Sequence, residues 1–400
     1  MADGSHGRDG TAGLLLAAAH DLLAEQGHGA FSLRAVSGRA GLPASAITYH
    51  FGGRDGFVRA VFVDQLRREK ERLDNARPPS GLDDGMLAEF LADRVRRSAI
   101  AERRDFGALL EALALVMRDR AASDAVNAMI DDEMDYLGAL KPDLDVVARL
   151  GLTLWQMAEL CCWLVLDGSA EFRLASMEGA RRAVLAVQGL AIPPEAVRWQ
   201  LRYRLDPTEM PEDDGLRGTK GMIADKVAEI MASGGVRQAT YREIAHRAGI
   251  SMSSLLHHFG SGEAMIRAGC GRMVQRWDQM ARAWIAEKRR QNPGMSFGAI
   301  MHSGLFEEDP GRFPELAVAL LARHDPDLVP LVEITRRQRG VITSRIAPEG
   351  ETDASREAHW ARAEISSLCS SAAHLLRLAL AARQDRRPVL IALFDRLAGG

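Results

Sequence analysis

FSLRAVSGRAGLPASAITYHFGGRDGFVRAVF, Phe31 to Phe62, is the stretch whose reading decides the fold of this chain. Ser32 stands where a helix needs an N-cap, ahead of a helix over Leu33 to Ala40 that would bury Ala35, Val36 and Ala40. Gly41 then gives the backbone the freedom for a sharp turn. Pro43 fits the start of a second short helix, where a missing N–H costs little. Tyr49, His50 and Phe51 close that helix and Gly52-Gly53 breaks it. A long amphipathic helix follows from Asp55, with Phe57, Val58, Val61, Phe62 and Leu66 on one side.

The same order returns at ATYREIAHRAGISMSSLLHHFGSGEAMI, Ala239 to Ile266. Here Thr240 and Glu243 form a T-x-x-E capping box before a helix burying Ile244, Ala245 and Ala248. Gly249 turns the chain and Ser251 can cap the next helix. The pairs Arg34 and Arg242, Gly41 and Gly249, His50 and His258, and Phe51 and Phe259 are each 208 residues apart. A fainter echo, Trp155-x-x-x-Glu159 and Trp360-x-x-x-Glu364, has an offset of 205. The repeat is one large unit used twice, not a solenoid.

The remainder agrees with an all-α chain of several domains. Its 400 residues are too many for one comfortable core. Apolar residues make up 47% and charged residues 26%, the balance of a soluble globular protein. Helical segments are expected over Met86 to Ala101, Asp105 to Arg118, Ala122 to Leu140, Leu144 to Leu166 and Phe172 to Leu190. Asp206 to Thr219 is acidic and rich in Pro and Gly, the signature of a linker. The expected domains are thus 8–62 and 219–267 as helix-turn-helix heads, 63–205 and 268–400 as helical regulatory parts, and 206–218 between them. The late helices, about 150–190 and 355–398, are expected to pack as a four-helix interface.

The opening MADGSHGRDGTAG lacks a cationic start and apolar core, so no signal peptide is expected. Leu150 to Leu166 is interrupted by Gln156 and Glu159 and is too short to cross a bilayer. Four cysteines without a C-x-x-C pair point to a reducing compartment, and the expected location is the cytoplasm.

A helix-turn-helix places its second helix in the DNA major groove while neighbouring helix ends hold phosphates. At this point the chain resembles the TetR family of bacterial transcription factors, whose signature runs T-x-R-x-I-A-x-x-A-G-V-S-x-G-x-L-Y-x-H-F-x-x-K-E. The first copy supplies Ser32, Arg34, Val36, Ala40, Gly41, Leu42, Ile47, Tyr49, His50, Phe51, Arg54 and Asp55. The second supplies Thr240, Arg242, Ile244, Ala245, Ala248, Gly249, Ile250, Ser251, Leu255, His257, His258, Phe259 and Glu263.

The resemblance implies base-reading roles for Arg34, Ala44, Ser45 and Thr48, and for Arg242, Met252, Ser253 and Leu256. It implies phosphate contacts at Tyr49, His50 and Arg54, then at His257 and His258, with Thr240 and Ser251 at the helix starts. Arg suits guanine O6/N7, and small apolar side chains suit a thymine methyl. Both copies depart from the signature. Pro43 replaces the cap and Thr48 the first tyrosine in one; Leu256 replaces that tyrosine and Gly262 the cation in the other.

Charge separates the copies further. Residues 8–62 hold five Arg/Lys against four Asp/Glu, a net +1, while 216–290 hold thirteen against six, a net +7. The overall charge of −3 leaves DNA binding to such local patches.

By resemblance the partners are double-stranded DNA and a small-molecule effector, with no membrane and no cofactor. The implied role is a repressor released by its effector. Two units in one chain predict an intramolecular pseudo-dimer, or else a dimer of chains, on a pseudo-palindromic operator with non-identical halves. The effector region is expected around Phe106, Leu110, Met117, Trp155, Met157, Cys161, Cys162 and Trp163, and in the second unit Phe297, Met301, His302, Phe306, Trp360 and His374. Two rivals stay open: a helical scaffold that no longer binds DNA, and a thiol sensor through Cys161-Cys162. No H-E-x-x-H, G-x-S-x-G, Gly-rich phosphate loop or Cys/His cluster is present, so the chain does not read as an enzyme.

Overall fold

A computed structural model describes residues 4–75, 80–117, 119–203, 216–234, 239–306, 315–344 and 353–399. Most of the expected linker and Glu307 to Asp309 lie outside them. Among the described residues the chain is helical and without strands.

The first head is α1 (Gly4–Gln26), α2 (Leu33–Ala40) and α3 (Ser45–Phe51), followed by α4 (Arg54–Asn75). Leu15, Ala19, Leu22 and Leu23 of α1 meet Val36, Ile47 and Phe57 in its core. Phe57 packs on Phe31 and Phe51, with ring centroids 6.1 and 4.9 Å away. The body of the first unit is α5 (Asp84–Ile100), α6 (Arg103–Val116), α7 (Ser123–Leu140), α8 (Val146–Leu166), α9 (Ala170–Val187) and α10 (Arg198–Tyr203).

The second head is α11 (Gly218–Gly234), α12 (Tyr241–Ala248) and α13 (Met252–Phe259), leading into α14 (Gly262–Gln291). Its core is Ile223, Val227, Ile230, Met231, Ile244 and Leu255. There follow α15 (Phe297–Phe306), α16 (Glu315–Ala322), α17 (Val329–Arg337), α18 (Val341–Ser344), α19 (Asp353–Leu375), α20 (Arg377–Ala382) and α21 (Arg386–Leu397). The expected boundaries at 62/63 and 267/268 fall inside α4 and α14, so each head shares a continuous helix with its body.

The two units join through α8, α9, α19 and α21, every pair of which is in contact. These are the late helices of each unit, as expected. At their centre lies a buried chain of ion pairs. Arg336 of α17 donates to Glu159 of α8 at 3.0 Å and to Glu364 of α19 at 2.6 Å, and Arg182 of α9 donates to Glu364 at 2.8 Å. All four side chains are buried. Two arginines against two glutamates leave no net charge, which is what lets such groups sit in a dry interior. The arginine charge outweighs burial and holds the Glu364 carboxyl below its ordinary value. The two glutamates of the weak W-x-x-x-E echo therefore meet the same guanidinium. The tryptophans are less alike: Trp155 is buried and Trp360 only half-buried.

Candidate nucleic-acid interface

Each head presents its second and third helices to solvent. In the first, the Ser32 hydroxyl accepts from the Ala35 N–H at 3.1 Å, starting α2 as expected. Gly41, at φ +67°, ends α2 in the left-handed region, and Gly249, at φ +66°, does the same for α12. Thr240 caps α12 by accepting from the Glu243 N–H at 3.3 Å. The reciprocal half of the expected box gives way to another bond, because the Glu243 carboxylate accepts from Arg247 Nε at 2.7 Å.

The recognition helices begin differently. Ser251 accepts from the Ser254 N–H at 3.2 Å and so caps α13. In the first head Pro43 precedes the helix, α3 begins at Ser45, and the flanking Ala44 makes no side-chain cap.

Arg34, Ala44, Ser45, Thr48, Tyr49 and Arg54 are exposed and His50 is half-buried. Tyr49 stands out, 65% exposed, with its ring edge-on to His50 at 5.1 Å. In the second head Thr240, Arg242, Ser251, Met252, Ser253 and His257 are exposed and His258 is half-buried. Met252 and Leu256 are large apolar side chains held in water. Each head thus gathers its named residues on one exposed helix pair. The positions implied by resemblance are accessible in both.

At Gly262 the lost cation has a local reason. A Cβ there would fall 2.7 Å from the Tyr241 hydroxyl, so the ring of Tyr241 occupies the space a side chain would need.

The positive charge of the second head is laced with ion pairs. Arg276 pairs with Asp225 at 3.0 Å, Arg267 with Asp327 at 2.7 Å, Arg247 with Glu243 at 2.7 Å and Arg290 with Glu287 at 2.6 Å. Asp225, Glu243 and Glu287 are already subtracted in the +7, so only the Arg267–Asp327 pair draws on a carboxylate outside residues 216–290.

The expected effector region is mostly packed. Trp155, Cys161 and Trp163 are buried in α8, and Trp163 Nε1 donates to Ser176 Oγ at 2.6 Å. Phe106 is buried on α6, and His302 lies against Phe306 at 4.7 Å on α15. Trp360 is half-buried on α19, where its carbonyl accepts from Gln200 at 3.4 Å. Met117 lines a cavity of about 10 Å³ with Leu113, Val116, Leu375 and Ala379, room for a single water. Burial pushes the Cys161 and Cys369 thiols up, and that of Cys270 to about 12, which keeps them protonated and unreactive at neutral pH.

One polar centre had no sequence signal. Glu111 of α6 is fully buried and accepts four hydrogen bonds. They come from the His28 backbone N–H at 2.8 Å, His28 Nδ1 at 2.5 Å, Arg323 Nη1 at 2.9 Å and His324 Nε2 at 3.2 Å. His28 belongs to the turn between α1 and α2, whereas Arg323 and His324 follow α16 of the second unit. Burial alone would raise the Glu111 carboxyl, but these donors and the Arg323 charge bring it down to about 2.

The comparisons agree with this arrangement. The family model described as "Bacterial regulatory proteins, tetR family" matches residues 15–61 and again 223–268. The chain is 43% identical over 61 residues to the HTH-type transcriptional repressor KstR2 of Rhodococcus jostii. That match spans 15% of this chain and 30% of the relative's length. Both family matches fall on the heads, so the chain carries two TetR-type DNA-binding domains in tandem.

Proposed function

We propose that this chain is a DNA-binding transcriptional repressor that reads one operator with two non-identical heads and is released by a small-molecule effector. The observation that carries the reading is the repeated, solvent-facing helix pair. It presents Arg34, Thr48 and Tyr49 in one head and Arg242, Met252 and Ser253 in the other. The intramolecular packing of α8, α9, α19 and α21 supports a self-contained pseudo-dimer. Two heads of different composition imply an operator whose half-sites differ, with centres about one helical turn apart (~34–36 Å). The domains expected from the sequence serve this scheme, with α4 and α14 carrying movement between body and head.

A gel shift on the adjacent intergenic DNA tests the reading, with Arg34→Ala and Arg242→Ala beside the native chain. Each substitution should cost about 1–3 kcal/mol and relax a different half-site. No binding to any local promoter DNA sinks the reading in favour of the scaffold. Light scattering tests the assembly separately: a clean dimer of chains defeats the self-sufficient pseudo-dimer. The burial of both thiols, which pushes that of Cys161 up, speaks against the sensor, and a Cys161→Ser/Cys162→Ser variant should keep its DNA response to oxidant unchanged from the native chain.

A further inference from the structure

A cleft of about 350 Å³ lies between the two heads, within the ~300–1,000 Å³ range of small-molecule sites. The turn Gln26 to Ala30 of the first head forms one wall, and Gly262 and Ile266 at the start of α14 form another. Glu111 and His324 close it from the body, with Leu320 beside them. No other described cavity touches both heads.

Glycines shape its mouth. Gly27 sits at φ +73°, and a Cβ on it would fall 2.7 Å from the His324 ring. Gly262 leaves the facing wall without a side chain where the first unit has Arg54. Gly29 has nothing within 4 Å of its would-be Cβ.

The chemistry of the lining follows from Glu111. Its two oxygens already accept four donors, two of them imidazole nitrogens. His28 therefore donates through Nδ1 and His324 through Nε2, and whenever a ring is neutral its second nitrogen is an acceptor. The surrounding wall is apolar: Ile266, Leu320, Leu321 and Leu328. Acceptors set on an apolar wall call for a ligand with an apolar body and a donor. An organic anion suits the site badly, because the Glu111 and Asp325 carboxylates stand in the same lining.

We propose that this cleft binds a small uncharged molecule with an apolar body and a hydroxyl donor, and that its occupant sets how the two heads sit relative to one another. The binding stands by itself; its effect on DNA rests on the repressor reading above.

Phenol is the probe, with toluene as its counterpart lacking the hydroxyl. The full chain, free of DNA and labelled with ¹⁵N-histidine, is titrated with each and followed by NMR. Phenol should shift the His28 and His324 resonances saturably, with a Kd on the order of 1–10 mM for so small a ligand, and toluene should act several-fold more weakly. Ile266→Trp, which fills the cleft from its apolar side, should abolish the response. Gly29→Phe obstructs the same space from the open turn and should do likewise should the first variant fail to fold. Silent His28 and His324 resonances, equal shifts from phenol and toluene, or a native response in a folded blocking variant would each overturn the site. In a gel shift, saturating phenol should change DNA affinity at least several-fold, and an unchanged affinity removes the effect on the heads. A normal phenol titration in a chain that binds no DNA sinks the repressor reading alone.

Discussion

The two heads share a fold but are fastened to the body in different ways. The first is held by buried charge where Glu111 grips the turn after α1, and His20 of α1 lies 3.1 Å from the half-exposed Asp105 of α6. The second touches the same region through Arg267, which pairs with Asp327 at 2.7 Å where both side chains meet water. A buried, hydrogen-bonded ion is expensive to orphan, whereas an exposed pair is worth little. The internal order of the heads runs the other way, since α13 has a serine cap and α3 has none. The difference teaches that one head is fixed by its anchorage and the other by its own helix chemistry.

Removing the Glu111 carboxylate is the strongest way to break that contrast. Glu111→Ala leaves Arg323 buried without its carboxylate partner and should cost about 3–5 kcal/mol in urea denaturation. Hydrogen exchange should rise in α1 and stay unchanged in α11; equal loosening of both heads would refute the asymmetric anchorage.

Acid should expose the same centre. Glu111 titrates at about 2 in the fold against an ordinary 4.5, so its contribution is whole above pH 4.5 and is lost as pH falls towards 2. Over that window the native chain should lose up to ~3 kcal/mol more stability than Glu111→Gln. Parallel curves for the two proteins would show that the carboxylate is not held ionised by its donors.

Ser251→Ala should cost about 1 kcal/mol, confined to α13, as the loss of a helix cap does. A loss felt equally in α3 would mean that the heads unfold as one. The smallest effect is expected from Arg267→Ala, under ~1 kcal/mol and vanishing in high salt. A larger value would place the second head under the same kind of anchorage as the first.

The fold was legible because its signals are local. Ser32, Gly41, Thr240, Gly249 and Ser251 each act within a few residues of their own position, and all five take the expected roles. The exposed face of each helix pair was legible for the same reason, since burying Ile47 or Leu255 turns their neighbours outward. Glu111 and Arg336 were not. Each is one charged residue on an amphipathic helix, indistinguishable in sequence from a surface charge, and their partners lie 28 to 213 residues away. The charge count gave the net sign of the second head but not which cations are paired, such as Arg276 with Asp225 and Arg290 with Glu287. The effector region was drawn from soft and aromatic residues of α6, α8, α15 and α19, and Phe106, Trp155, Cys161, Trp163 and His302 among them are buried.

Arg336 lies between Glu159 and Glu364, one arginine serving both members of a near-repeat. In an assembly of identical chains every substitution occurs twice, and a side chain off the symmetry axis cannot be shared between mirrored partners without a second copy competing for the space. Fusing the halves removes that duplication. A change on one side becomes a single event, its compensation can arise on the other side alone, and the two halves are free to accumulate different recognition surfaces while a common keystone keeps them together.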